Sequence, residues 1–223
     1  MLTERAPDGR TRVQLQIALD RIPLDRAIEL TEAVAAYADW IEMGTSMIKG
    51  FGTAGLTEVV KAAADTPVLA DLKTVDDVRF ELTMAYDAGA RSATVMGLAP
   101  GVTLDTAVQV AEERERELVV DLLGLTTDQI TALADRLPAS VVLAPHVGKD
   151  LQATGARPTD LLGPWAEGRR LAIAGGLTAD DLPALRDVPG LRVVVGSAVT
   201  KADDPVGAAK ALRRAATEEG DAR

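Results

Sequence analysis

The chain predicts a closed (β/α)8 barrel built as one domain, and three observations carry that expectation. Eight short apolar runs recur along it, stretches of helical spacing lie between them, and the runs are nearly continuous in Val, Ile, Leu and Ala. Continuous apolar strands belong to a parallel sheet covered on both faces, and strand–helix alternation is the rhythm that builds one. With 223 residues, 47% of them hydrophobic, the chain can bury one large core.

The strands are expected at VQLQIALD (13–20), DWIEMG (39–44), PVLADLK (67–73), RSATVMG (91–97), ELVVDLLG (117–124), SVVLAPH (140–146), RRLAIAGG (169–176) and LRVVVGS (191–197). Apolar residues recur every three or four positions in PLDRAIELTEAVAAY, AGLTEVVKAAA, VTLDTAVQVAEERERE and TDQITALADRL, which predicts helices there. The segment after the sixth strand is long, with a loop at DLQATGARPTD ahead of its helix. A doubly wound open sheet competes, but no GxGxxG follows the first strand and eight units fit closure better. The last helix, PVGAAKALRRAATEE, would close the ring. Residues 1–12 read as a loose polar arm, and residues 13–223 as the TIM-barrel domain, with no linker or low-complexity run to mark a second one.

A formal charge of −10 works against binding nucleic acid or anionic lipid, and no apolar run approaches membrane-spanning length. A phosphorylated small molecule stays open as a ligand, because backbone N–H groups hold phosphate without a basic surface. Cysteine is absent, which excludes disulfides and thiolate chemistry and leaves the cytoplasm as the default compartment.

In a barrel the C-terminal strand ends share one rim, where the active site forms. That rim is expected to collect Asp20, Glu42, Asp71, Lys73, Asp121 and His146. Strand alternation puts Asp71 and Lys73 on one face and Leu72 on the other. The two charges are either a structural ion pair or part of a site. Asp76 and Asp77 lie where the third helix begins, a position suited to capping free N–H groups. Lys73 could serve as a Schiff-base nucleophile, but flanking carboxylates favour its charged form, so it reads as a fixed positive charge or proton donor. His146 is the only histidine and ends the sixth strand, which favours a role in the site over a satisfied surface position. Asp121, inside the fifth strand, serves either a structural hydrogen bond or the site.

The seventh and eighth strands end in AGG (174–176) and VGSA (195–198), small residues where the others carry charge. Barrels that bind phosphate often use the loops after these two strands. Gly175, Gly176 and Gly196 would let backbone approach the oxygens, and Ser197 could add a hydroxyl.

The pieces QIALD, IEMGTSMIKGFG, LADLKTVD, ATVMG, VVDLLG, PHVGKDLQATG, AIAGGL and VVVGSAVTKADDPVGAA together resemble the orotidine 5′-phosphate decarboxylase superfamily. They are most similar to its 3-hexulose-6-phosphate synthase and 3-keto-L-gulonate-6-phosphate decarboxylase branch. The resemblance implies that Asp71, Lys73 and Asp76 form the superfamily's Asp-x-Lys-x-x-Asp motif, with Asp76 reaching the neighbouring subunit's site in a homodimer. It implies Glu42 and Asp71 as Mg²⁺ ligands, Asp20 as the strand-one aspartate, His146 as a proton-handling residue, and Gly175, Gly176 and Gly196 as the phosphate grip. Asp121 and Lys149 are candidate substrate contacts.

Both reactions of that branch pass through a metal-stabilised enediolate of a phosphorylated sugar. The synthase reaches it by deprotonating D-ribulose 5-phosphate and adds formaldehyde, whereas the decarboxylase reaches it by losing CO2. DLKT (71–74) and HVGKDLQATG (146–155) look more like the synthase, while GGLTADDLP (175–183) looks more like the decarboxylase. Asp77-Val78 stands where the branch carries Ala-Gly, and Lys149 where the decarboxylase carries arginine. A Mg²⁺-dependent aldolase is the first expectation, a sugar-phosphate decarboxylase the second, and a non-catalytic sugar-phosphate-binding barrel the alternative from another class.

Overall fold

A computed structural model describes residues 13–148, 158–186 and 188–217 of the chain. Eight strands close into one parallel barrel in sequence order: β1 (Gln14–Leu19), β2 (Trp40–Met43), β3 (Val68–Thr74), β4 (Ser92–Met96), β5 (Glu117–Asp121), β6 (Val142–Ala144), β7 (Arg170–Ala174) and β8 (Leu191–Val195). β8 pairs with β1, Gln16 opposite Val194, so the sheet has no free edge. Helices α1 (Leu24–Val34), α2 (Thr45–Ala62), α3 (Val78–Asp87), α4 (Gly101–Glu113) and α5 (Thr127–Arg136) follow the first five strands. The expected C-terminal helix spans Pro205–Thr217 and packs against α1 and β1. There Arg213 donates to both carboxylate oxygens of Asp39, at 2.5 and 3.0 Å, tying the last helix to the entry of β2.

Strand alternation sorts two apolar layers. Leu15, Ile17 and Leu19 of β1 are fully buried in the large core between sheet and helices, with Ile41, Met43, Ala70 and Val120. Inside the barrel, Trp40, Leu69, Val119, Val142, Ala144 and Ala172 pack as a second, smaller cluster. Large side chains such as Trp40 fill its lower part, and Ala18, Ala144 and Ala174 line the mouth, where their small volume leaves room for a cavity.

Among the described residues the structure departs from the even strand–helix rhythm after β7. After β6, where residues 149–157 lie outside the described ones, the described residues hold 3₁₀ turns at Pro158–Leu161 and Pro164–Ala166, and after β7 another at Leu182–Leu185. Pro164 and Pro183 each lack the N–H that continues an α-helix, and Gly163 and Gly168 interrupt the same stretch. α2 is longer than its periodicity predicts, beginning at Thr45 and bending at Gly52, whose φ of 61° lies outside the helical region. The arm, residues 1–12, and Lys149 lie outside the described residues.

Candidate active site

A cavity of about 1030 Å³ opens among the C-terminal strand ends. It brings together Asp20, Glu42, Asp71, Lys73, Asp121, His146, Gly175, Gly176, Gly196 and Ser197. Asp76 is not among its lining residues; it is exposed to solvent beyond the end of β3.

The charged side is built on β3, and its geometry begins with a break in that strand. The register between β3 and β4 shifts between Ala70 and Thr74, and Lys73 takes a φ of 52°, a left-handed backbone that costs a non-glycine residue. The freed Lys73 N–H donates to Thr94 Oγ1 at 2.9 Å, and that hydroxyl donates to Asp71 Oδ1 at 2.8 Å. Lys73 and Asp71 therefore share the cavity through a bulge, whereas a regular strand would have placed them there by alternation. Leu72 packs outward against the helix-side core.

Lys73 Nζ sits 3.2 Å from Asp71 Oδ1 and 2.5 Å from Asp121 Oδ2. Burial pulls its pKa down, but the charges of Asp71 and Asp121 outweigh that and hold it above the ordinary lysine value. The amine is a fixed cation, the wrong form for a Schiff base. Asp121 is the hub: besides Lys73 it accepts from the Leu123 N–H at 2.8 Å and lies 3.2 Å from His146 Nδ1. Burial pushes its carboxyl up, yet the His146 hydrogen bond and the Lys73 charge bring it down to about 2. An ionised Asp121 accepts, so Nδ1 of His146 is the donor in this contact and Nε2 is the ring nitrogen left for another partner.

Glu42 and Asp71 form the acidic end. Thr45 Oγ1 donates to Asp71 Oδ2 at 2.6 Å, and Gln16 Nε2 donates to Glu42 Oε2 at 2.5 Å. Burial first, and then the charge of Asp71, push the Glu42 carboxyl up to about 8. The charge of each carboxyl favours a proton or a cation at the other, and the oxygen donor set suits Mg²⁺. Among the described residues no group of three His, Cys, Asp or Glu comes together to hold a metal, so water or ligand oxygens would complete the shell. Asp20 approaches from β1 with Oδ1 3.4 Å from Ser46 Oγ. A Cβ on Gly44 would meet that same Oδ1 at 2.1 Å, which is why the IEMG turn needs glycine there.

On the opposite side the neighbouring ends of β7 and β8 carry no charge. Gly175 and Gly176 have φ of 127° and 72°, and a Cβ on Gly175 would meet Val147 O at 2.8 Å. Glycine is required there, and it bares backbone to the cavity. Ser197 opens the four-residue helix Ser197–Thr200.

Asp77 stands at the start of α3 but does not cap it. Its φ is 48° and its side chain makes no capping bond, because a capping aspartate needs an extended backbone to face the first N–H groups. Thr45, Thr94, Gln16, Arg21 and Lys201 line the cavity and were not among the expected site residues. Gln16 had a visible signal, a polar residue alternating with Leu15 and Ile17 in an apolar strand.

Fold and cavity together define a (β/α)8-barrel enzyme whose candidate site opens among the strand ends. The chain belongs to the orotidine 5′-phosphate decarboxylase / HUMPS family, whose model matches residues 13–212, and it is an enzyme of the lyase class. It is 36% identical over 207 residues to a 3-hexulose-6-phosphate synthase of Mycobacterium gastri, covering 91% of this chain and 99% of that one. The crystal structure of 3-hexulose-6-phosphate synthase from Salmonella typhimurium superposes with a TM-score of 0.83 at 32% identity, over 91% of this chain and 98% of that one. KGPDC from Streptococcus mutans in complex with D-R5P gives a TM-score of 0.81 at 26% identity, over 91% and 96%.

Proposed function

We propose that the enzyme is an aldolase of the 3-hexulose-6-phosphate synthase type, joining formaldehyde to D-ribulose 5-phosphate. The observation that carries this choice is the 36% identity to a synthase over nearly the whole chain, against 26% to KGPDC. Glu42 and Asp71 would hold Mg²⁺. When bound, the ion would offset negative charge developing on the sugar's carbonyl and hydroxyl oxygens.

The chain's own residues supply the rest. The backbone around Gly175, Gly176 and Gly196, with Ser197, takes the phosphate and so fixes the sugar's far end. His146 Nε2, unprotonated while Nδ1 donates to Asp121, accepts the proton from the substrate's first carbon. The electron pair left on that carbon attacks the carbonyl carbon of formaldehyde, forming the new C–C bond, and the formaldehyde oxygen takes a proton to become the hydroxyl. That proton comes back from His146 Nε2, which returns to its starting form, while Lys73, held charged, faces the anion formed in between. Asp20, at the rim, orients the sugar hydroxyls.

We further propose a homodimer in which Asp76 completes the partner's site. Four of the five large apolar side chains exposed among the described residues, Val75, Phe80, Leu98 and Val102, fall just after β3 and β4, on the same rim as Asp76. Mixing Asp76→Ala with Lys73→Ala chains should restore up to about half of native activity per mixed dimer, since one of two symmetric sites is then intact. No recovery despite verified subunit exchange would sink the shared site. A cytoplasmic setting fits a phosphorylated sugar substrate.

A second reading is supported by the likeness to KGPDC with D-R5P bound and by the stretch GGLTADDLP: decarboxylation of 3-keto-L-gulonate 6-phosphate. One paired assay separates the two. Hexulose 6-phosphate formed from ribulose 5-phosphate, formaldehyde and Mg²⁺, and lost with EDTA, is the expected result. CO2 release from 3-keto-L-gulonate 6-phosphate without aldol product would establish the second reading instead.

A further inference from the structure

Beneath the cavity, a run of buried polar side chains crosses the barrel from its floor. Arg192, on β8, is 2% exposed and lies 4.0 Å over the ring of Trp40. Its Nη1 and Nη2 donate to the two carboxylate oxygens of Glu117 at 2.9 and 3.0 Å, and Arg170 also donates to Glu117. These four residues stand at the N-terminal ends of β8, β2, β5 and β7, away from the cavity mouth. Glu117 is held below the ordinary carboxylate range, burial opposing and the two arginines outweighing it. The pair is therefore a fixed charged plug.

Arg192 Nη1 has one further partner, Gln16 Oε1, at 3.2 Å. A guanidinium has no acceptor, so the face of the Gln16 amide turned to Arg192 must be its oxygen. The NH2 group is thereby turned the other way, and it donates to Glu42 Oε2 at 2.5 Å. Gln16 is itself only 2% exposed.

We propose that Gln16 is a positioning residue for Glu42, set in one orientation by Arg192, and that this contact fixes where the Glu42 carboxyl points in the cavity. A glutamate side chain has three rotatable bonds, and among the described residues Gln16 is the one that hydrogen-bonds it. Without Gln16 the second carboxylate of the Glu42 and Asp71 pair loses its fixed direction. The consequence for metal and turnover rests on the aldolase reading; the position of Glu42 does not.

Crystal structures of the metal-free wild type and of Gln16→Met, with Mg²⁺ titration calorimetry on both, test this. Methionine keeps the length and volume and removes both hydrogen bonds. Glu42 should leave its direction in the variant, and Mg²⁺ affinity should fall by about 10–100-fold, the size seen when the orienting partner of a metal ligand is lost. Turnover should drop while KM for the sugar phosphate holds, because the phosphate site lies on β7 and β8. Gln16→Asn, too short to span both partners, is the second variant if losing the Arg192 acceptor unsettles the fold. Glu42 unmoved in the folded variants, with Mg²⁺ affinity unchanged, overturns the proposal. A wild type that binds no Mg²⁺ counts against the metal assignment alone, and the Glu42 positions then decide.

Discussion

The two sides of the cavity mouth are built on opposite principles. From β3 to β6 every candidate group depends on another: Asp71 on Thr45, Thr94 and Lys73, Lys73 on Asp121, and Asp121 on His146. At β7 and β8 the groups are backbone, exposed by glycine, and owe nothing to a neighbour's charge. A charge network suits a task in which charge must appear and be neutralised during reaction. A backbone cradle suits a ligand group that stays the same throughout. The first side should therefore govern turnover and the second should govern binding.

The largest expected effect is on the charged side. Lys73→Ala removes the cation shared by Asp71 and Asp121 and should lower kcat by 10²-fold or more, on the order of losing one preorganised electrostatic group. KM for the phosphorylated sugar should change much less. Steady-state kinetics on the folded variant, checked by circular dichroism, reads both. Borohydride with substrate should leave no adduct on Lys73, and a trapped adduct would overturn the fixed-cation role.

Gly175→Ala should do the reverse on the other side. A methyl there meets Val147 O at 2.8 Å and strains a φ of 127°, so the loop proposed to hold the phosphate must shift. KM should rise by about 10-fold with kcat held within a few-fold, the pattern of lost uniform binding. A fall in kcat with KM unchanged would break the division between the two sides.

How much of this was legible beforehand follows from the same contrast. The eight strands and the closed order were readable, because apolar runs and spacing are local properties of the chain. The strand-end charges stood out too, since Asp, Lys and His in apolar surroundings are conspicuous. Thr45 and Thr94 were not, because threonine is an ordinary strand or helix-start residue and its value here is a contact across strands. The bulge at Lys73 was equally hidden: a straight strand predicts the same facing for Asp71 and Lys73, and the left-handed residue that delivers it leaves no mark in DLKT. Arg192, a charge inside the run LRVVVGS, and Gln16 were visible signals that strand-end reasoning passed over, since both lie at or near the other end of the barrel. Among the described residues after β7 a 3₁₀ turn stands where the rhythm leads one to expect a helix, and Pro183 in that segment is its visible signal.

The smallest effect expected is on stability, and it separates two acids of the charged side, Glu42 and Asp121. Glu42, pushed up to about 8 from an ordinary 4.5, keeps its proton in the folded protein while the unfolded chain loses it. Between those values the native state binds more protons, so the metal-free protein should lose stability as pH rises from about 4.5 to about 8. Asp121, brought down to about 2 from 3.8, behaves oppositely: its contribution is complete above about 4 and is lost as pH falls toward 2. Acid unfolding involves many carboxylates, so the alkaline limb is the cleaner one. Glu42→Gln keeps an oxygen to accept from Gln16 and removes the titration. Melting temperatures in EDTA should fall by several degrees for the wild type between pH 5 and 8, and less for Glu42→Gln, at roughly 2–4 °C per kcal/mol for a chain of this size. Saturating Mg²⁺ should narrow the gap at pH 8, since a cation bound only by the native state stabilises it. Parallel curves for the two proteins in EDTA would mean that Glu42 ionises freely in the fold, and that the acidic end needs no cation to offset it.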